Sequence, residues 1–112
     1  GCYVHSRQTL AFSGAAAMTQ MASVMQRLRS NPPSSIGAFP VAALTDYLTD
    51  PTGLPRSDVL AFSLTGSASV VVRPSGTEPK LKLYLSAKAC TRADADAQLY
   101  ALEDACRTLL QF

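Results

Sequence analysis

Residues that carry out chemistry are scarce in this chain. It has no tryptophan, a single histidine (His5) and only three cysteines, Cys2, Cys90 and Cys106. His5 has no acid near it in sequence to act as its partner, so a place at the surface or against another domain is expected rather than a catalytic role. The cysteines are odd in number and widely spaced, which matches no zinc pattern and suits buried or idle thiols in a reducing cytosol. Asp46 and Asp50 read as turn or cap residues rather than a metal pair. Long apolar runs are missing as well. None approaches the ~18 residues of a membrane span, and no charged-then-apolar leader opens the chain. No membrane partner and a cytoplasmic location are therefore expected. Nor is one sign of charge in excess: ten Lys/Arg against eight Asp/Glu leave a net +2. That balance, with no interleaved surface aromatics, argues against a nucleic-acid partner.

What remains is enough for one domain. The chain has 112 residues, 47% of them hydrophobic, which supports a modest core. Residues 1–12 read as a lead-in segment in which Thr9-Leu10-Ala11-Phe12 forms a short strand or a docking arm, and 13–112 as the domain proper. Ser13-Gly14 is placed to cap a helix running to about Arg29, with Met18, Met21, Ala22, Met25 and Leu28 at the three-and-four spacing of one apolar face. Asn31-Pro32-Pro33 ends it, and Arg27 and Arg29 fall in the last turn, where the helix dipole favours cations. Phe39–Leu48 fits strand or helix by composition. Asp50 to Pro55 is a loop by turn chemistry. Val59–Leu64 and Ser69–Val72 flank Thr65-Gly66-Ser67 as a hairpin. Leu81, Leu83 and Leu85 alternate with Lys80, Lys82 and Tyr84, which puts apolar groups on one face and cations on the other. A second helix spans about Arg92–Leu110, opened by Thr91 with Asp94 three positions on and lined by Leu99, Leu102, Cys106, Leu109 and Leu110. Helix, strands, helix makes an α+β domain with both helices on one face of a mostly antiparallel sheet.

The chemistry is concentrated in Arg73-Pro74-Ser75-Gly76-Thr77-Glu78-Pro79-Lys80-Leu81-Lys82. An arginine supplies a planar, permanently charged fork, and hydroxyls and main-chain N–H groups can surround the remaining oxygens of a phosphate. Gly76 permits close approach of the backbone, and successive N–H groups in such a turn can form an anion nest. Positive charge is local here, with only Glu78 to offset Arg73, Lys80 and Lys82. The string lacks the Gly-Lys-Ser/Thr ending of a nucleotide-binding P-loop. The bland alternative is a solvated hairpin loop.

This string resembles the phosphate-binding loop of the C-terminal domain of the alpha-D-phosphohexomutases, the phosphoglucomutase/phosphomannomutase superfamily. Arg27-Leu28-Arg29-Ser30-Asn31-Pro32-Pro33, the Asp46-Tyr47 pair and Leu54-Pro55-Arg56-Ser57-Asp58-Val59-Leu60 resemble the same domain, in the same order. The resemblance turns Phe39–Leu48 into a strand. It implies a four-stranded, TATA-box-binding-protein-like sheet and a chain that is the last of four domains. It also implies the role: the parent moves phosphate between C1 and C6 of a hexose through a phosphoserine and a hexose 1,6-bisphosphate intermediate. The phosphoserine and one Mg²⁺ sit in preceding domains. By this likeness Arg73 is the principal clamp on the substrate phosphate, Ser75 and Thr77 donate hydroxyl hydrogen bonds, and Gly76 offers its N–H. Lys82 takes the place of a basic residue just beyond the loop, and Glu78 braces it. No catalytic residue or metal ligand is implied in this piece, which alone should be inactive. A phosphoglucosamine mutase or phosphopentomutase-like parent shares the loop. A free-standing sugar-phosphate-binding module is the reading from another class; a phosphoserine loop and an Asp-rich metal loop upstream in the parent frame would exclude it.

Overall fold

The computed structural model describes residues 1–47, 58–75 and 77–110. The expected loop from Asp50 to Pro55, the Leu54–Ser57 part of the family-like segment, and Gly76 lie outside the described residues. Six strands and two helices follow in the order β1 (Cys2–Ala11), α1 (Ala17–Ser30), β2 (Ser35–Ile36), β3 (Phe39–Asp46), β4 (Leu60–Leu64), β5 (Ala68–Pro74), β6 (Lys80–Ala89) and α2 (Arg92–Leu110). The strands form one sheet, ordered β1-β6-β5-β4-β3-β2, and each neighbouring pair is antiparallel. The α+β class with an antiparallel sheet is as expected.

The strand count is not: six strands stand where four were expected. The addition that matters is β1, a full ten-residue strand rather than a short piece at Thr9–Phe12. It pairs with β6 along its whole length, from Cys2 opposite Ala89 to Ala11 opposite Lys80. Its alternation is faint because it is an edge strand whose inner face is mixed. Val4 and Leu10 are buried, but Ser6 and Gln8 occupy the same face and are only half-buried. The other addition, β2, is two residues long and turns back onto β3 with Ile36 opposite Phe39. Gly37, in that turn, has φ +61°, and a Cβ built there would lie 2.6 Å from the Ala105 Cβ on α2. Only glycine lets this hairpin lie so close to the helix. The stretch from Phe39, ambiguous by composition, is strand β3, with a bulge between Val41 and Ala43.

The core sits on one face of the sheet. Leu81, Leu83, Leu85 and Ala87 of β6, Val70 and Val72 of β5, and Leu60, Phe62 and Leu64 of β4 are buried in a single cluster with residues of both helices. Each fully buried leucine or valine contributes about 1.5–3 kcal/mol of transfer free energy, so this face dominates the stability of the domain. From α2 come Leu99, Leu102, Cys106 and Leu110 of the stripe read from periodicity, joined by Ala95, with Leu109 only half-buried at its margin. The Thr91 side-chain oxygen accepts from the Asp94 N–H at 3.1 Å, so the expected cap is present.

Helix α1 departs from expectation in two ways. It starts at Ala17, with Ala16 in the cap position and no side-chain cap; Gly14 contributes only its carbonyl, accepting from the Ala17 N–H. Its buried residues are Ala17, Met21, Met25 and Leu28, whereas Met18 is 49% exposed and Ala22 is exposed. The apolar stripe admits both rotations of the helix, and packing selects the one with Ala17 inward. At its other end Arg29 is engaged by two acids. Its Nε donates to Asp46 Oδ2 at 2.7 Å and one terminal nitrogen to Asp58 Oδ1 at 2.6 Å. The hydrogen bond to Asp46, foremost, raises the guanidinium pKa despite partial burial. Asp46 therefore ties α1 to the sheet, a structural duty.

Candidate functional site

The far face of the sheet is built by the same alternation that buries the leucines. Because side chains alternate across a strand, Lys82 and Tyr84 must point away from the core that holds Leu81, Leu83 and Leu85. Arg73 lies directly opposite Lys82 in the β5–β6 ladder. Two cations on facing positions repel, and like charges so placed disfavour the pairing of the strands that carry them. Among the described residues no carboxylate forms an ion pair with either of them. Both side chains are exposed at the mouth of a cavity of about 180 Å³ lined by Arg73, Pro74, Ser75, Lys82 and Tyr84. A dianion placed there relieves the repulsion and receives charge-assisted hydrogen bonds from both sides.

Hydrogen bonds inside the loop decide which of its groups face this cavity unspent. The Ser75 N–H donates to the Lys80 carbonyl at 2.8 Å, closing the loop at its base. The Ser75 Oγ accepts from the Glu78 N–H at 3.3 Å, which leaves the hydroxyl proton free to donate to a ligand. A nest of successive main-chain N–H groups is thus reduced, since those of Ser75, Glu78 and Lys80 are turned inward onto Lys80 O, Ser75 Oγ and Glu78 O. Glu78 binds Lys80 across 3.0 Å. That hydrogen bond, with the charges of Lys80 and then Lys82, holds the Glu78 carboxyl below its ordinary pKa. Lys80 is thereby occupied, and Lys82 is the lysine that lines the cavity. Thr77 is exposed and does not line it.

Strand β1 completes the surroundings. The Phe12 N–H, just past the end of β1, donates to the Pro79 carbonyl at 2.8 Å and anchors the loop. Thr9 stands opposite Lys82 and Arg7 opposite Tyr84. The Arg7 guanidinium carbon lies 5.9 Å from the Tyr84 ring centroid, within cation–π reach. Tyr84, Arg7 and Thr9 were not singled out by the sequence. Tyr84 was legible in the β6 alternation, but β1 had to be recognised as a strand before its outward residues could be aligned with Lys82. His5 is exposed on the same outward face and lies against the Tyr3 ring, with centroids 5.0 Å apart.

The model of the phosphoglucomutase/phosphomannomutase C-terminal domain matches residues 18–102, most of the chain and the whole of the loop. The chain belongs to this family. Among its relatives is a probable phosphomannomutase of Haemophilus influenzae, 35% identical over 112 residues. That match covers 99% of this chain and 22% of the relative. A phosphoglucomutase of Staphylococcus aureus is 42% identical over 87 residues, 68% of this chain and 15% of that protein. The chain therefore spans less than a quarter of the length of these phosphomutases. No described helix is long and apolar enough to cross a membrane.

Proposed function

We propose that this chain is the substrate-phosphate-gripping, C-terminal domain of a phosphoglucomutase/phosphomannomutase that moves phosphate between C1 and C6 of a hexose. The observation that carries the reading is the facing pair Arg73 and Lys82, two exposed cations beside Ser75 in a cavity of about 180 Å³. Arg73 clamps the phosphate that is not reacting, Ser75 donates its hydroxyl proton, and Lys82 neutralises charge from the adjoining strand. Gly76, through its main-chain N–H, and Thr77, through its hydroxyl, are proposed to reach the ligand as well once the other domains close over it. Glu78 braces the loop through Lys80.

The domain's contribution to catalysis is then positional. Binding energy from the remote phosphate orients the reacting end of the sugar, and closure keeps water away from a phosphoserine held in a preceding domain. The family reading also brings one Mg²⁺ and a hexose 1,6-bisphosphate intermediate. The described residues contain no cluster of three metal-ligating side chains, and the cavity is bordered by cations. Mg²⁺ does not fit here, so the proposal assigns it, like the phosphoserine, to preceding domains of the parent. In this reading the isolated chain turns over no substrate.

The test is a titration of the ¹⁵N-labelled chain with glucose 6-phosphate and mannose 6-phosphate at constant ionic strength. Saturable shifts at the amides of Arg73, Ser75, Thr77 and Lys82 are expected. Affinity should be weak, because the other domains supply the remaining contacts. Shifts confined to other loops would remove the assignment.

A further inference from the structure

The outward face of the sheet holds a second cavity beside the first. It has a volume of about 160 Å³ and is lined by Arg7, Gln8, Thr9, Lys82, Leu83 and Tyr84. Lys82 and Tyr84 border both cavities, one on each side of β6. We propose that Arg7 and Thr9 on β1, together with Lys82, form a second oxyanion subsite that takes a phosphoryl group.

Three observations support it. The ladder places Thr9, Lys82 and Arg73 in one row across β1, β6 and β5, with Arg7 and Tyr84 in the next row. The side chains of Arg7, Thr9, Lys82 and Arg73 are all exposed, and among the described residues no carboxylate is ion-paired with Arg7, Lys82 or Arg73. Finally, Arg7 lies near the Tyr84 ring, a contact that steadies the guanidinium while leaving its N–H edge available. Two inter-strand spacings and a two-residue offset put the Arg7 and Arg73 Cα atoms ~12 Å apart. Two long arginine side chains reaching inward from that separation can hold the two ends of a phosphorylated monosaccharide, or two separate anions. The choice of a phosphoryl group as ligand rests on reading the first cavity as a phosphate site; the presence of the second cavity does not.

The experiment follows amide shifts of the ¹⁵N-labelled chain with inorganic phosphate, glucose 6-phosphate and glucose 1,6-bisphosphate, against matched chloride. Two groups of saturable shifts are expected, one at residues 73–75 and one at residues 7–9. Arg7→Gln should weaken the second group about ten-fold and leave the first within about two-fold, and Thr9→Val should weaken it less. Both positions are exposed on an edge strand, and dispersion in the same spectra reports that the fold is kept. A bisphosphate that binds at least ten-fold more tightly than the monophosphate, and loses that advantage in Arg7→Gln, identifies one bridging ligand; equal affinities identify independent anions. The subsite stands in either case. Shifts at 73–75 alone, or shifts at 7–9 that chloride reproduces, overturn this inference and leave the first site intact. Shifts at 7–9 alone overturn the reading of the first site instead, and no shifts at either place overturn both.

Discussion

Replacing Arg73 by glutamine should weaken phosphate binding while leaving the empty domain no less stable. Glutamine keeps a planar, polar end but removes the charge. Arg73 faces Lys82 across the β5–β6 ladder with no ion pair for either among the described residues. Two unit charges ~7 Å apart in water repel by about 0.6 kcal/mol, and physiological salt screens roughly half of that. Removing one therefore stabilises the fold by about 0.3–0.6 kcal/mol, or ~1–4 °C in Tm for a domain of this size. In the bound domain the same change removes a charge-assisted hydrogen bond, about 1.5–3 kcal/mol. The group is exposed, so the lower end applies and the phosphate Kd should rise about ten-fold. Thermal unfolding at low and high salt, paired with NMR titration of phosphate, reads both effects. The gain in Tm should fade as salt is raised. Arg73→Lys keeps the repulsion, so it should show no gain in Tm and recover only part of the affinity, having lost the planar fork. A Tm lowered by several degrees with phosphate affinity unchanged would show that Arg73 serves the fold and not a ligand.

Gly37→Ala meets both a left-handed backbone and the Ala105 Cβ at 2.6 Å, and should cost about 1–3 kcal/mol in urea denaturation; adding Ala105→Gly should return the steric part and not the backbone part. Burial pushes the Cys106 thiol up to about 12, whereas Cys90 is exposed. In native protein a disulfide reagent should modify Cys90 readily and Cys106 only after unfolding. The depressed Glu78 pKa carries a definite sign: its link to Lys80 is present above the ordinary glutamate range and lost as pH falls through the lower, folded value. The Glu78 side-chain signal should therefore titrate below the range of a free glutamate, and should return towards it in Lys80→Gln.

Much of the fold was legible because its signals are local. Thr91 and the leucine stripe delimit α2, since a cap and a 3.6-residue period need only neighbours in sequence. The Thr65-Gly66-Ser67 turn reads equally well, for Gly66 and Ser67 both take positive φ in the structure, at 76° and 64°. In β6 a period of two is enough to separate the core leucines from Lys82 and Tyr84. The proposal of an anion site likewise starts from the loop's composition, an arginine with hydroxyls, glycine and lysines between two strands, and needs no fold to be made.

Pairing and rotation were settled elsewhere. The strand character of β1 emerges only when it hydrogen-bonds to β6 from the opposite end of the chain, because Ser6 and Gln8 dilute its alternation and an edge strand needs just one apolar face. The seating of α1, with Ala17 inward and Met18 out, is a choice between two nearly equal stripes that the sheet beneath it makes. The cations follow the same logic. Arg73 and Lys82 are nine positions apart in sequence, yet they face each other because an antiparallel ladder aligns them. Arg7 joins them only through β1. Local sequence fixes periods, caps and turns through short-range sterics and hydrogen bonds, whereas which strands meet, and so which charges share a face, is decided when the apolar sides of all the elements are buried in one core.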